Sequence, residues 1–129
     1  MKSIIRVVGL LAMLSTLGSA ETWSGVLVDG KCYAGFRGNT RSSLQFVDRD
    51  TAWVIRYCAP RLKTGCFAVV PVNGGTFPLD SNGNAQAWAL VRKTGRRRLL
   101  VVEVAGVKKG KDIAVSTIKV MKVLPRDSV

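Results

Sequence analysis

The chain has 129 residues, of which 47% are hydrophobic, and its formal net charge is +12 because 20 Lys and Arg outnumber 8 Asp and Glu. This length predicts one domain, and the hydrophobic fraction excludes a mainly disordered chain. With no His, the chain lacks the commonest general base and the Ser-His and Cys-His pairs of nucleophilic catalysis. The excess of cations predicts attraction to polyanions.

The first twenty residues have the pattern of a secretory signal peptide. Lys2 and Arg6 precede an apolar run of eight residues, and the small residues Gly18 to Ala20 allow cleavage after Ala20. The apolar run is too short to span a bilayer comfortably, so a retained membrane anchor is the minor alternative. We therefore predict a signal peptide at 1–20, a single mature domain at 21–129 with no transmembrane segment, and a periplasmic or secreted location in a bacterium.

The first half of the mature chain predicts a strand, a loop and a short helix. Thr22–Val28 is rich in β-branched and aromatic residues, which favour a strand, and Asp29-Gly30 ends it. The polar, glycine-containing stretch Tyr33–Ser43 predicts an exposed loop. Asp50 is placed to cap a helix over Thr51–Cys58. A strand is the alternative there, because Val, Ile, Trp and Tyr suit both structures.

A short hairpin is predicted next. Cys66–Val72 has the composition of a buried strand, and Asn73-Gly74-Gly75 tolerates the positive φ of a hairpin turn. Thr76–Leu79 is the expected partner strand. Pro78 restricts that partner to an edge of the sheet or a bulge, because proline has no N–H to donate.

The last third predicts a helix and a long hairpin. Asn84 is placed to cap a helix that runs to Val91, and Gly95 to end it. Leu99–Val107 and Asp112–Val123 then alternate as two strands around a lysine-rich turn. The apolar phase of the second strand changes side along its length, so we expect a β-bulge near Ser116-Thr117.

These elements predict a mainly β fold, namely a small five-stranded OB-like barrel with two short helices. The order strand, helix, hairpin, helix, hairpin fits that class, although the pattern alone does not determine the topology. Trp23, Trp53 and Trp88 are the large aromatic residues expected to anchor the core.

Three cysteines remain in the mature chain: Cys32, Cys58 and Cys66. In an oxidising compartment, one pair is expected to form a disulfide. Cys66 precedes the apolar run Phe67–Val70, where a buried and inert thiol is expected. A zinc site would need a fourth ligand, and the chain has no His, so neither a metal nor another cofactor is predicted.

The start of the mature chain, Trp23-x-Gly25-x-Leu27-x-Asp29-x-x-Cys32, resembles that of a family of small exported bacterial domains of unknown function. Further residues of this chain fall in the order that the family shows: Tyr57-Cys58, Gly65, Leu79-Asp80 and Ile113–Met121. The resemblance implies an OB-like barrel and a Cys32–Cys58 disulfide. It implies no known activity, because the family is uncharacterised.

The distribution of charge favours binding over catalysis. The close carboxylates Asp48 and Asp50 are explained by a turn and a helix cap, so no enzyme is predicted. From Arg92 to Arg126 there are eleven Lys or Arg and only two acids. The predicted binding patch consists of the cations around the last helix and hairpin: Arg92, Lys93, Arg96, Arg97, Arg98, Lys108, Lys109 and Lys111.

Two functions remain open at this point. One is an exported, monomeric binding module that engages an anionic envelope lipid or glycan through its basic patch. The other is a structural or inhibitory domain that binds an acidic protein. Nucleic acid is a less favoured partner, because the segment Arg92–Arg126 contains no aromatic residue on which bases could stack.

Overall fold

The computed structural model describes residues 20–39, 51–94 and 98–125. The predicted signal peptide before Ala20 therefore lies outside the described residues, as do Asp48, Asp50 and Gly95. In the described ranges the chain forms five strands and three helices: β1 Glu21–Asp29, α1 Gly30–Asn39, α2 Thr51–Tyr57, β2 Phe67–Val70, β3 Phe77–Pro78, α3 Ser81–Thr94, β4 Arg98–Lys109 and β5 Asp112–Pro125.

The five strands form one sheet in the order β3-β2-β1-β4-β5, and each neighbouring pair is antiparallel. The mainly β class is therefore confirmed. The two edges approach each other through a single parallel bridge between Leu79 and Ile113. The N–H of Asp80 also donates to the Ile113 carbonyl at 3.0 Å. No continuous ladder between the described strands closes the sheet. The sheet is therefore open, and the predicted barrel is not confirmed.

Apolar residues cover both faces of the sheet and form two cores. The main core joins Leu27, Phe67 and Val102 to the inner side of α3, which contributes Ala87 and Val91. The second core lies on the opposite face, where α1 and α2 cover the side chains Val28, Ala68, Val70 and Leu99. β2 is buried on both faces, which explains why its four residues are all apolar.

The predicted loop over Tyr33–Ser43 is wrong in its described part, because residues 30–39 form α1. Asp29 caps this helix by accepting a hydrogen bond from the Cys32 N–H at 3.0 Å. Tyr33 is only 3% exposed. Glycine and polar residues gave the segment a low helix propensity, and packing of one face against the second core overrides that preference.

α3 begins four residues earlier than predicted, at Ser81. Its cap is Asp80, whose Oδ1 accepts from the Gly83 N–H at 2.9 Å. Asn84 does not cap the helix but accepts a hydrogen bond from the Phe67 N–H at 2.8 Å, which joins α3 to β2. The described chain therefore has three helices where two were predicted.

The predicted bulge in β5 is confirmed. Ala105 pairs with Thr117 whereas Gly106 pairs with Val115, so Ser116 is the extra residue. A second shift, between Val101 and Val102, was not predicted. The hairpin turns also behave as predicted, since glycines 74, 75 and 110 have positive φ. Thr51–Tyr57 is a helix, so the predicted helix is confirmed and the alternative of a strand is wrong.

The Cys32–Cys58 disulfide is formed, with the two Cα atoms 5.5 Å apart. It links α1 to the residue after α2 and is compatible with an oxidising compartment. The prediction of a buried Cys66 is wrong, because this residue lies in the loop before β2 and its thiol is exposed. Among the described helices, none has the length and apolar character to cross a membrane.

Two of the three predicted tryptophan anchors are misplaced. Trp23 is partly buried and packs against the main core, as predicted. Trp53 and Trp88 are instead 36% and 38% exposed. Both lie on the outer sides of helices, so apolar composition alone did not distinguish a core position from a surface position.

Candidate functional site

The predicted basic patch divides into two clusters at opposite ends of β4. The helix-end cluster consists of Arg92 and Lys93 in the last turn of α3 and Arg98 at the start of β4, all exposed. The hairpin cluster consists of the exposed Lys108, Lys109 and Lys111. About 30 Å of strand separates the clusters, at roughly 3.3 Å for each residue. Arg96 and Arg97 lie outside the described residues.

Two of the acidic side chains accept hydrogen bonds from within the fold. The described residues include five acids, of which Asp29 and Asp80 point into the fold. Asp29 accepts from the Cys32 N–H and, at 2.8 Å, from the Thr64 hydroxyl. Asp80 accepts from the N–H groups of Gly83 and Val115. Both carboxylates are therefore held by hydrogen-bond donors within the fold.

In the helix-end cluster, an arginine lies over a tryptophan. The guanidinium carbon of Arg92 is 4.5 Å from the centroid of the Trp88 ring, within the range of a cation–π contact. The two residues are four apart on α3 and therefore share a face. The indole Nε1–H of Trp88 donates to the Leu62 carbonyl at 3.3 Å, which fixes the orientation of the ring.

An open groove of about 400 Å³ lies beside this pair, between α3 and the loop that precedes β2. Its lining consists of Lys63, Thr64, Gly65, Asn84, Ala85 and Trp88. Sequence reasoning did not identify this groove. The spacing of Asn84, Trp88 and Arg92, four residues apart along one helix, was the available signal, but the loop opposite them could not be placed from the sequence.

In the hairpin cluster, a lysine lies over a phenylalanine from the far edge of the sheet. The Nζ of Lys108 is 5.1 Å from the centroid of the Phe77 ring. That ring in turn lies 6.3 Å from the ring of Trp23. Lys108 belongs to the interior strand β4 and Phe77 to the edge strand β3, so the contact crosses the curved sheet over two intervening strands. The sequence separates them by thirty residues and gives no signal of the contact.

A third surface feature is an aromatic cluster on the two helices of the second core. Trp53 and Tyr57 stack with their ring centroids 5.1 Å apart, and the ring of Phe36 meets both edge-on. Trp53 and Tyr57 are exposed. A small cavity of about 130 Å³ lies between this cluster and the disulfide.

Within the ranges that the structure describes, no three Cys, Asp or Glu side chains come together as a metal-binding group would require. No family model matches the chain, and no curated protein or solved structure is significantly similar to it. Its function is therefore inferred from the geometry of the two basic clusters and the groove.

Proposed function

We propose that the protein is an exported, non-catalytic and monomeric binding module that attaches to an anionic surface or glycan of the bacterial envelope. One observation carries the proposal: each basic cluster sets a cation over an aromatic ring, Arg92 over Trp88 and Lys108 over Phe77. A cation held over a ring keeps a defined position. It adds to the attraction between polyanions and the mature module, whose net charge is +10 once Lys2 and Arg6 are removed from the total of +12.

We further propose that the open sheet is a variant of the OB architecture, as the resemblance to small exported domains implies. Three features support this: the strand order, the position of α3 between β3 and β4, and the bridge from Leu79 to Ile113. OB domains bind oligosaccharides or oligonucleotides near strands β2 and β3 and the β4–β5 loop. That loop carries Lys109 and Lys111, next to the contact between Lys108 and Phe77.

The first test is co-sedimentation of residues 21–129 with vesicles of phosphatidylglycerol or of phosphatidylcholine, and pull-down by an acidic polysaccharide, across a salt series. Binding to the anionic materials alone, weakening steeply with salt, is the expected result, because ions screen exposed charges. Absence of binding to every anionic material at low salt would reject the proposal.

A pair of charge-reversal variants tests whether position matters or only total charge. One changes Lys108, Lys109 and Lys111 to Glu, and the other changes Arg92, Lys93 and Arg98 to Glu. Both lower the net charge by the same amount. Unequal losses of binding identify the cluster that contacts the ligand. Equal and small losses would mean that neither cluster forms a binding site.

An acidic protein partner is the second candidate, and the outer edge of β5 favours it. Side chains of α3 occupy this edge up to Ile118. Beyond Ile118, no described strand pairs with it. Lys119 and Lys122 are exposed there, and Met121 is 55% exposed. An extended acidic segment could add to such an edge as a further strand.

Photo-crosslinking distinguishes this partner from a lipid or glycan. A crosslinker at Met121 is expected to capture one protein in the native compartment, whereas one at Val72, which is more exposed than Met121, should not. Substitution of Lys119 and Lys122 by Glu should abolish the capture and leave vesicle binding intact. Capture that is equal at Met121 and Val72 would argue against a partner on this edge.

A further inference from the structure

The groove beside Trp88 is held open by hydrogen bonds at both of its ends. At one end, the Trp88 indole donates to the Leu62 carbonyl, and at the other, the Phe67 N–H donates to Asn84. The loop between these two points is anchored below by Thr64, which is 4% exposed and donates its hydroxyl proton to Asp29 at 2.8 Å. The Arg61 N–H donates to the same hydroxyl oxygen. The groove therefore exists before any ligand binds.

The groove presents groups with three different chemical roles. Trp88 offers a half-exposed aromatic surface of fixed orientation. Lys63 offers an exposed ammonium. Asn84 offers its amide Nδ2, because the Phe67 N–H requires an acceptor and so assigns Oδ1 to that bond. Gly65 has open space where a side chain would lie, which leaves room for a ligand.

We infer that this groove binds an acidic saccharide, with a sugar ring stacked on Trp88 and its carboxylate or sulfate paired with Lys63. The inference rests on the proposed function and deepens it, because it names one site and one ligand class. Arg92 lies over one face of the Trp88 ring, so the sugar is placed on the opposite face, with Arg92 as a second cation close to it. A sugar ring has an apolar face for the indole and hydroxyls for the Asn84 amide, and a groove that is open to solvent can admit it from the surface.

A lipid suits the groove less well. Its apolar lining consists of Trp88 and Ala85 together with the stem of Lys63, and it is an open surface groove. An acyl chain needs a deeper apolar channel to leave water. The anionic lipids that the proposed function also allows would therefore meet the flat basic clusters instead of this groove.

The experiment uses residues 21–129 and three probes: an oligogalacturonate, a neutral maltooligosaccharide of equal length, and phosphatidylglycerol vesicles. The indole N–H resonance of Trp88 is followed by NMR during titration. Oligogalacturonate is expected to shift it and to leave the Trp53 resonance in place, while the neutral sugar binds far more weakly. Trp88→Ala should weaken binding by about tenfold, the loss expected for one aromatic contact.

Matched variants separate a groove from general charge. Lys63→Glu should weaken oligogalacturonate binding several-fold more than Lys122→Glu, which makes the same change of charge at an exposed position outside both basic clusters. Trp53→Ala removes an equally exposed tryptophan and should leave affinity unchanged, and Trp88→Phe should restore part of the loss. Each variant is first checked for a native NMR spectrum.

The outcomes separate the inference from the function on which it rests. If Trp88→Ala and Lys63→Glu both leave oligogalacturonate binding unchanged, the groove is not its binding site, and the proposal of an anionic glycan ligand is kept. Binding to vesicles without binding to oligogalacturonate would overturn the acidic saccharide and leave an anionic lipid as ligand. Failure of every anionic probe would overturn both proposals.

Discussion

At the scale of single residues, Gly83 shows how closely α3 lies against β5. A Cβ built at this position would come within 2.5 Å of Val115 Cγ2 and 2.9 Å of Leu79 Cβ. No side chain fits there without movement of backbone or neighbouring core residues. Glycine is therefore required at this position for packing, since its φ is not in the positive range.

We predict that Gly83→Ala destabilises the protein. Overpacking costs about 1–3 kcal/mol, which outweighs the gain of about 1 kcal/mol from helix propensity. Gly35→Ala is the control, because a Cβ there meets nothing within 4 Å, so the same change in α1 should be neutral or stabilising. Urea unfolding measures both variants. Equal effects at the two positions would contradict the packing of α3 on β5.

Cys66 provides a second test at this scale. Its thiol is exposed, whereas Cys32 and Cys58 are joined. We expect the native, oxidised protein to react rapidly with one equivalent of a maleimide, and the Cys66→Ser variant with none. Mass spectrometry gives the stoichiometry. Labelling only after denaturation would mean that the thiol is buried, as the sequence had suggested.

At the scale of elements, α3 replaces a missing neighbour strand of β5 with its side chains. Asn82 Nδ2 donates to the Val115 carbonyl, and Gln86 Nε2 donates to the Ser116 carbonyl. The Ile118 N–H donates to Gln86 Oε1 at 3.1 Å. These bonds satisfy backbone groups that the bulge and the open sheet would leave unpaired.

We expect Gln86→Ala to accelerate hydrogen exchange of the Ile118 amide, because its acceptor is removed. The free energy of unfolding should fall by about 1 kcal/mol. Asn82→Ala is the internal control, since it deletes the bond to Val115 and leaves the Ile118 amide bonded. Residue-resolved exchange by NMR measures the effect. An unchanged Ile118 exchange rate in Gln86→Ala would show that this bond does not protect the edge.

At the scale of the whole molecule, the disulfide closes a loop of 26 residues that contains most of α1 and all of α2. Both helices cover the second core, so the bond restricts the part of the chain that shields one face of the sheet. A crosslink of this length removes unfolded-state entropy worth about 3.5 kcal/mol.

We therefore predict that reduction lowers the free energy of unfolding by about 3.5 kcal/mol. Cys58 is only 1% exposed, so Cys58→Ala would create a cavity in the core. Reduction leaves both sulfur atoms in place and avoids this cavity. The measurement compares oxidised and reduced protein in the Cys66→Ser background, where thiol exchange with Cys66 is absent. Equal stability of the two forms would mean that the disulfide does not constrain the unfolded chain.

Features that depend on local backbone chemistry could be predicted from the amino-acid sequence. Alternating β-branched residues marked β1, β4 and β5, glycines marked the turns, and a change of apolar phase required the bulge at Ser116. Which surfaces come into contact depends on tertiary packing and could not be predicted in this way. Tertiary packing makes α1 a helix despite its glycines and leaves Cys66 and Trp88 exposed. It also places Lys108 over the ring of Phe77, and the loop that contains Lys63 beside α3. These contacts join residues distant in the chain, so their energy is absent from any local segment and arises only when the sheet and helices pack.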